Sequence, residues 1–209
     1  MKGNFITLEG CEGVGKSRQT QLLSEYLDKK NIPHITVREP GGNDISERIR
    51  SIILDKSNVQ MSAECEALLY AASRAQLIKE VIKPALTSGK TVICDRYIHS
   101  SFAYQGYARG LGFEFIKSVN IYAYENCMPD LTFFLDLPAN YAFLRKGGID
   151  EHDRLENSGL DFHERVYEGY KKLFEIFKGK IIRIDAAGTK EQTHEKIVKE
   201  MEYLILNME

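Results

Sequence analysis

The chain has no surplus of either charge: 28 lysines and arginines meet 30 aspartates and glutamates, a net charge of −2 over 209 residues. A protein whose main partner is a nucleic-acid backbone carries a basic surplus, because phosphate neutralisation supplies its affinity. Long apolar runs are missing too. The first run, Phe5-Ile6-Thr7-Leu8, is shorter than a secretory leader requires, and no stretch approaches the roughly eighteen residues of a membrane span. The expected placement is therefore the cytoplasm. Cysteine is sparse: Cys11, Cys65, Cys94 and Cys127 lie far apart with no C-x-x-C pair, so neither a disulfide framework nor a zinc site is expected. The five histidines (His34, His99, His152, His163 and His194) show no metal-ligand spacing. The five prolines are scattered, and neither an internal repeat nor a low-complexity tract is visible.

What remains is an ordinary globular composition, 43% hydrophobic, long enough to bury roughly 70% of the unfolded surface around one core. Short β-branched runs alternate with helix-period segments. The strand candidates are Phe5–Leu8, His34–Arg38, Thr91–Asp95, Leu131–Asp136 and Ile181–Asp185. Runs such as Thr91-Val92-Ile93-Cys94 are apolar throughout, as strands buried on both faces must be. Helical periodicity covers Ser17–Lys30, Asp44–Leu54, a long segment from Met61 to the breakers Pro84 and Gly89, Phe113–Glu125, Asp161–Phe177 and Glu191–Leu206. This alternation predicts a five-stranded parallel sheet flanked by helices, an α/β fold of three layers formed by residues 1–209 as a single domain. Ligands of such sheets sit beyond the carboxyl ends of the strands, so chemistry-bearing residues should follow each strand.

They do. After the first strand, Gly10-Cys11-Glu12-Gly13-Val14-Gly15-Lys16-Ser17 matches G-x-x-x-x-G-K-[ST] between a strand and a helix. Glycines there let the backbone curl its N–H groups inward around phosphates, and the helix N-terminus adds positive potential. Lys16 is expected on the β- and γ-phosphates and Ser17 on Mg²⁺. The absence of N-K-x-D argues against a GTPase switch. After the second strand, Arg38-Glu39-Pro40-Gly41-Gly42 offers a forked phosphate donor, with Arg50 twelve residues on as a second cation. After the third, Asp95 stands where a Walker-B carboxylate assists Mg²⁺, and Arg96 can clamp phosphoryl groups. Tyr70 and Arg74 are four apart on one helix face, a stacking ring beside a guanidinium, which suits a nucleobase.

In this order, the acidic phosphate loop, R-E-P-G-G, Y-A-A-S-R-A-Q, D-R-Y with S-S-F-A-Y-Q-G-Y, and D-R-L-E resemble the bacterial thymidylate kinase family over nearly the whole chain. The resemblance implies a P-loop NTPase fold with a short mobile lid at about residues 145–160, and transfer of the γ-phosphoryl group of ATP to dTMP in dTTP biosynthesis, with Mg²⁺ as cofactor. It implies that Arg38, Arg50 and Arg96 hold the acceptor phosphate, with Glu39 and Pro40 beside them. Tyr70 would stack on thymine, Arg74 face a base carbonyl, Ser101 and Gln105 meet the ring N–H side, and Tyr104 lie against the deoxyribose. Glu12 falls where the family places a carboxylate near the acceptor, and Asp95 takes a magnesium and acceptor-side role. Two departures stand out. Tyr70 replaces the usual Phe, and Arg145–Arg165 holds four basic and six acidic residues, few arginines for a lid that supplies a catalytic one. Arg154, in the D-R-L-E, is expected to reach the transferring group, with Arg145 as the alternative. A homodimer is implied as well. The readings left beside this one are a kinase for another pyrimidine monophosphate and a non-catalytic nucleotide-binding regulator.

Overall fold

A computed structural model describes residues 2–146, 154–155 and 158–206, with side chains throughout except at 143–146 and 204–206. Five strands form one sheet: β1 (Phe5–Glu9), β2 (His34–Arg38), β3 (Thr91–Asp95), β4 (Leu131–Asp136) and β5 (Ile181–Asp185). Their order is β2-β3-β1-β4-β5 and every neighbouring pair is parallel. The all-apolar runs read from the sequence become the inner strands. β1 and β4 are buried at every position, and β3 at all but its last, whereas the edge strand β2 is only partly covered. The strand limits match the expected ones, apart from one added residue, Glu9, on β1.

The helices are α1 (Lys16–Lys29), α2 (Asp44–Leu54), α3 (Ala63–Leu77), α4 (Lys83–Thr87), α5 (Ile98–Ser101), α6 (Phe113–Val119), α7 (Ile121–Asn126), α8 (Ala139–Lys146), α9 (Leu160–Ile176) and α10 (Lys190–Leu206). Local chemistry places their starts. Asn43 accepts the Ser46 amide ahead of α2, and Ser62 the Cys65 amide ahead of α3.

The long helical segment ends at Thr87, between Pro84 and Gly89 as expected, but it is not uniform: a π-helical stretch, Ile78–Ile82, widens it, and the chain continues as α4 with Pro84 in its first turn. A proline lacks the N–H that regular α-geometry would use there, and a π-stretch is one way past that loss. The segment expected as one helix over Phe113–Glu125 divides at Asn120. Finally, α5 and its π-helical continuation Phe102–Ala108 had no recognisable helical period in the sequence. Most of their residues are buried on every side, which erases an amphipathic stripe.

Parallel register brings the strand ends together. Leu8 pairs with Asp95 and Arg38 with Asp95 across the sheet, and the Arg96 amide donates to the Leu8 carbonyl at 2.9 Å. The phosphate loop, the Arg38 turn and the Asp95-Arg96-Tyr97 turn therefore open on one edge of the sheet, over a core of residues such as Leu8, Leu23, Ile93 and Phe133.

Candidate active site

The loop Gly10–Ser17 leaves β1 and enters α1 directly. Gly10, Gly13 and Gly15 hold φ of 146°, 77° and 97°, which L side chains rarely adopt. At Gly10 a Cβ would also lie 2.8 Å from the Leu135 carbonyl oxygen, so the loop can pass this close to β4 only as glycine. α1 has no side-chain cap, leaving its first amides directed into the loop. The Lys16 ammonium is buried against the same loop, donating to the carbonyls of Cys11 at 2.6 Å and Gly10 at 3.2 Å. Burial and the nearby Arg96 charge shift its pKa below the ordinary lysine value. The Ser17 hydroxyl donates to the Asp95 carboxylate at 2.7 Å on the exposed side.

Glu9 holds the neighbouring turn in place. Fully buried, its carboxylate accepts from the Tyr97 amide (2.8 Å), the Ser100 hydroxyl (2.6 Å) and the Tyr170 hydroxyl (2.8 Å). Burial raises its pKa even against those bonds and the Arg96 charge. Arg96, the next residue along from Asp95, adopts φ of 67°, a left-handed conformation that a non-glycine keeps only when its surroundings impose it. The turn aims the guanidinium across the loop mouth: one nitrogen donates to the Gly10 carbonyl at 2.9 Å and another to Glu12 at 2.5 Å, while Tyr104 lies under it at 5.1 Å. Burial alone would raise the Glu12 carboxyl, but Arg96, Lys16 and His163 outweigh it and hold the pKa at about 2. Tyr104 also donates to Glu12, at 3.2 Å.

On the β2 side, Arg38 and Arg50 both donate to the Pro40 carbonyl at 2.9 Å, and Arg38 pairs with Glu47 at 3.0 Å. Gly41 permits this fold-back, since a Cβ there would sit 2.4 Å from the Arg38 guanidinium. Deeper in, Arg74 is 1% exposed and fully engaged: Glu39 lies at 2.6 Å, Ser101 at 3.0 Å and Asn120 at 2.5 Å, with the Tyr97 ring beneath. Burial raises the Glu39 carboxyl to about 7, more than Arg74 lowers it. One Glu39 oxygen is buried with no hydrogen-bond partner among the described residues.

A cavity of about 450 Å³ joins these parts, lined by Lys16, Ser17, Asp95, Glu12 and Arg96, by Arg38 and Arg50, and by Tyr70, Arg74, Tyr104 and Gln105. That is room for bound nucleotide, and the lining combines cationic groups with aromatic and amide ones. Ser101 stands behind it, as acceptor for Arg74. Of the expected phosphate-loop residues, Gly10, Cys11 and Val14 are buried below the lining rather than in it. The Ser17 hydroxyl and Asp95 carboxylate are hard oxygen donors in contact, a pair that suits Mg²⁺ completed by phosphate oxygens and water. Among the described residues, no group of three or more His, Cys, Asp or Glu could hold a metal ion by itself.

Among the described residues Arg154 makes no hydrogen bond to the phosphate loop: its guanidinium donates to the Ile53 carbonyl at 2.9 Å and to Glu66 at 2.6 Å. Glu66 is 1% exposed, and this buried carboxylate is the anion that takes the arginine. The side chain of Arg145 and most of the expected lid lie outside the described residues. Sequence reasoning also missed Glu9, Glu66, Asn120 and Tyr170. Glu9 had a signal, an acidic residue closing an apolar strand ahead of the glycine loop; Asn120 and Tyr170 had none, because tertiary packing alone brings them here.

Comparison with known proteins points to one family. The thymidylate kinase family model matches residues 8–197. The thymidylate kinase of Clostridium novyi (strain NT) is 48% identical over 198 residues, covering 94% of this chain and 97% of its own. That of Thermoanaerobacter sp. (strain X514) is 46% identical over 198 residues, covering 95% and 97%. That of Bacillus velezensis is 46% identical over 193 residues, covering 91% of each.

Proposed function

Because the chain belongs to the thymidylate kinase family, we propose that it phosphorylates dTMP to dTDP with ATP as donor, each nucleotide entering one end of the same cavity. The observation that carries this reading is the cavity's lining, with Lys16, Ser17 and Asp95 at one end, Tyr70 and Gln105 at the other, and Arg96 between them. Phosphoryl transfer asks for positioning and charge neutralisation more than covalent chemistry, and this lining supplies both. Lys16 exchanges its loop carbonyls for the β- and γ-phosphate oxygens of ATP. Arg38 and Arg50 move from the Pro40 carbonyl to the acceptor phosphate. Arg96 faces the space between donor and acceptor, its direction fixed by Glu12. Tyr70 stacks on the base, Arg74 lines the same end, and Tyr104 packs beside the sugar. Ser17 and Asp95 would hold Mg²⁺, which when bound draws negative charge from the phosphate oxygens.

We also infer a homodimer, formed by α3 with α6 and α7. These helices pack on one another and leave Leu68, Ile121 and Tyr122 exposed, an apolar surface that suits a second copy. Sedimentation should give twice the chain mass. The cytoplasm is the compartment we infer, since the four cysteines are free thiols.

The functional test is turnover of dTMP, dUMP, dCMP and AMP with ATP and Mg²⁺. The expected result is dTMP as the best acceptor. ATP binding with no dTMP-dependent ADP release would leave a nucleotide-binding regulator, and a preference for dCMP or AMP would replace the base assignment.

A further inference from the structure

Glu66 is a buried carboxylate behind the cavity wall rather than in it, and the reaction has no direct use for it. It is nevertheless the most heavily bonded anion on the base side. The Gln105 side-chain amide donates its nitrogen to one Glu66 oxygen at 2.9 Å, and Arg109 approaches the same oxygen at 3.4 Å. The other oxygen takes Arg154 at 2.6 Å and Arg109 at 3.3 Å. Arg109 is in turn held over the Phe162 ring at 4.3 Å. Two guanidiniums thus keep a carboxylate, which only accepts, against the amide of Gln105. One N–H of that amide is committed to Glu66, which fixes the amide with its nitrogen on the Glu66 side, and Gln105 itself lines the cavity. Its carbonyl oxygen is thereby held on the side away from Glu66, as the acceptor for a ligand. Leu155, next in chain to the captured Arg154, lines the same cavity.

We propose that Glu66 is a positioning residue that sets base selectivity by locking the Gln105 amide with its oxygen toward the ligand. It also ties residues 154–155 over the base end through Arg154. The inference rests on the reading of this cavity as the dTMP site. A base carrying a ring N–H at the reading position, thymine or uracil, then meets an acceptor. Cytosine presents a ring acceptor there and meets oxygen against nitrogen lone pair, leaving both unpaired on burial. A glutamine at position 66 would remove the constraint, because its own amide can present either a donor or an acceptor to Gln105.

The test is kcat/KM for dTMP, dUMP and dCMP in the wild type, Glu66→Gln, Gln105→Ala and the double variant. In Glu66→Gln the dTMP:dCMP ratio should fall at least about tenfold, chiefly through KM, while the dTMP:dUMP ratio holds. In the Gln105→Ala background, Glu66→Gln should change the dTMP:dCMP ratio by less than about twofold, since the group it acts through is gone. Selectivity retained in Glu66→Gln, or an effect of the same size in both backgrounds, overturns the proposal. A purely structural role would lower turnover of all three acceptors alike. Should Glu66→Gln prove unfolded by circular dichroism, Glu66→Asp, whose carboxylate is one methylene short of Gln105, is read by the same ratios. A wild type that turns over none of the thymine and uracil acceptors refutes the dTMP reading itself, a result distinct from loss of selectivity in the variant.

Discussion

The two ends of the cavity hold their charges in different ways. At the base end, Arg74 is 1% exposed and its guanidinium is satisfied by Glu39, Ser101 and Asn120 side chains from three other segments. At the phosphate end, Lys16 rests on its own loop's carbonyls, and Arg38 and Arg50 share the single carbonyl of Pro40. Side-chain pairs sealed from water are permanent architecture. Cations resting on backbone carbonyls have partners that a phosphate oxygen can replace, since a charged acceptor makes the stronger bond. One end is built to keep its shape and the other to exchange contacts.

The sharpest way to break that comparison is Arg74→Ala. It removes the one donor that serves Glu39, Ser101 and Asn120 together and opens a cavity in the core. A loss of about 3–5 kcal/mol in unfolding free energy is expected, the range for a buried pair deprived of one partner. Chemical denaturation reads it directly, and a loss below about 1 kcal/mol would mean that the base end is no more rigid than the phosphate end. Arg96→Ala comes next in size. It should cut dTMP-dependent ADP production by about 10²–10³-fold, as removal of one preorganised donor does at other oxyanion sites. Near-normal turnover in a coupled assay would remove Arg96 from the space between the nucleotides.

Acid titration should separate the ends by sign. Glu12, held at about 2 in the folded protein against 4.5 ordinarily, contributes stability that is present above pH 4.5 and lost as pH falls toward 2. Its full loss is worth about 3 kcal/mol as an upper bound, at 1.36 kcal/mol per unit. Glu39, raised to about 7, runs the opposite way: its favourable contribution is complete below pH 4.5 and fades as pH rises through 7. Melting curves of Glu12→Gln should therefore flatten the acid limb, and those of Glu39→Gln the segment between pH 4.5 and 7. If both variants alter the same segment, the electrostatic distinction between the ends is wrong.

How much of this was legible in the sequence follows the same division. The inner strands β1, β3 and β4 were readable almost to the residue because burial on both faces leaves unbroken apolar runs such as Val92-Ile93-Cys94. The phosphate loop was readable because backbone curvature demands glycine at fixed spacing, and one short segment supplies all its parts. The base end resisted. Tyr70 and Arg74 could be paired by helical spacing, yet Asn120 reaches Arg74, and Gln105 and Arg109 reach Glu66 on the same helix, from elements far off in the chain, where no period or motif marks the pairing. The helix carrying Ser101, Tyr104 and Gln105 was invisible as a helix, since its apolar residues face inward all round. Arg154 shows the limit most plainly. The D-R-L-E motif gave its place in the chain, but which anion it meets depends on Glu66, a partner 88 residues away.

The smallest stability effect should come from Arg38, and it tests the exchangeable end where the comparison is most exposed to failure. Its pair with Glu47 is nearly half exposed on both sides, 47% and 42%, so water screens the attraction and two long side chains must be ordered to make it. Replacing Arg38 by Gln should cost less than about 1 kcal/mol of unfolding free energy, because Glu47 keeps the Gly42 amide as a donor at 2.7 Å. The same substitution removes a forked cation from the proposed acceptor-phosphate site, and dTMP KM should rise about tenfold, the worth of one charge-assisted hydrogen bond of about 1.4 kcal/mol. Stability and affinity would then move independently at Arg38, whereas at Arg74 they must move together. Denaturation midpoints and dTMP saturation curves on the same preparation decide it. A fall of 2 kcal/mol or more at unchanged KM would make Arg38 a structural residue and leave Arg50 and Arg96 to bind the phosphate.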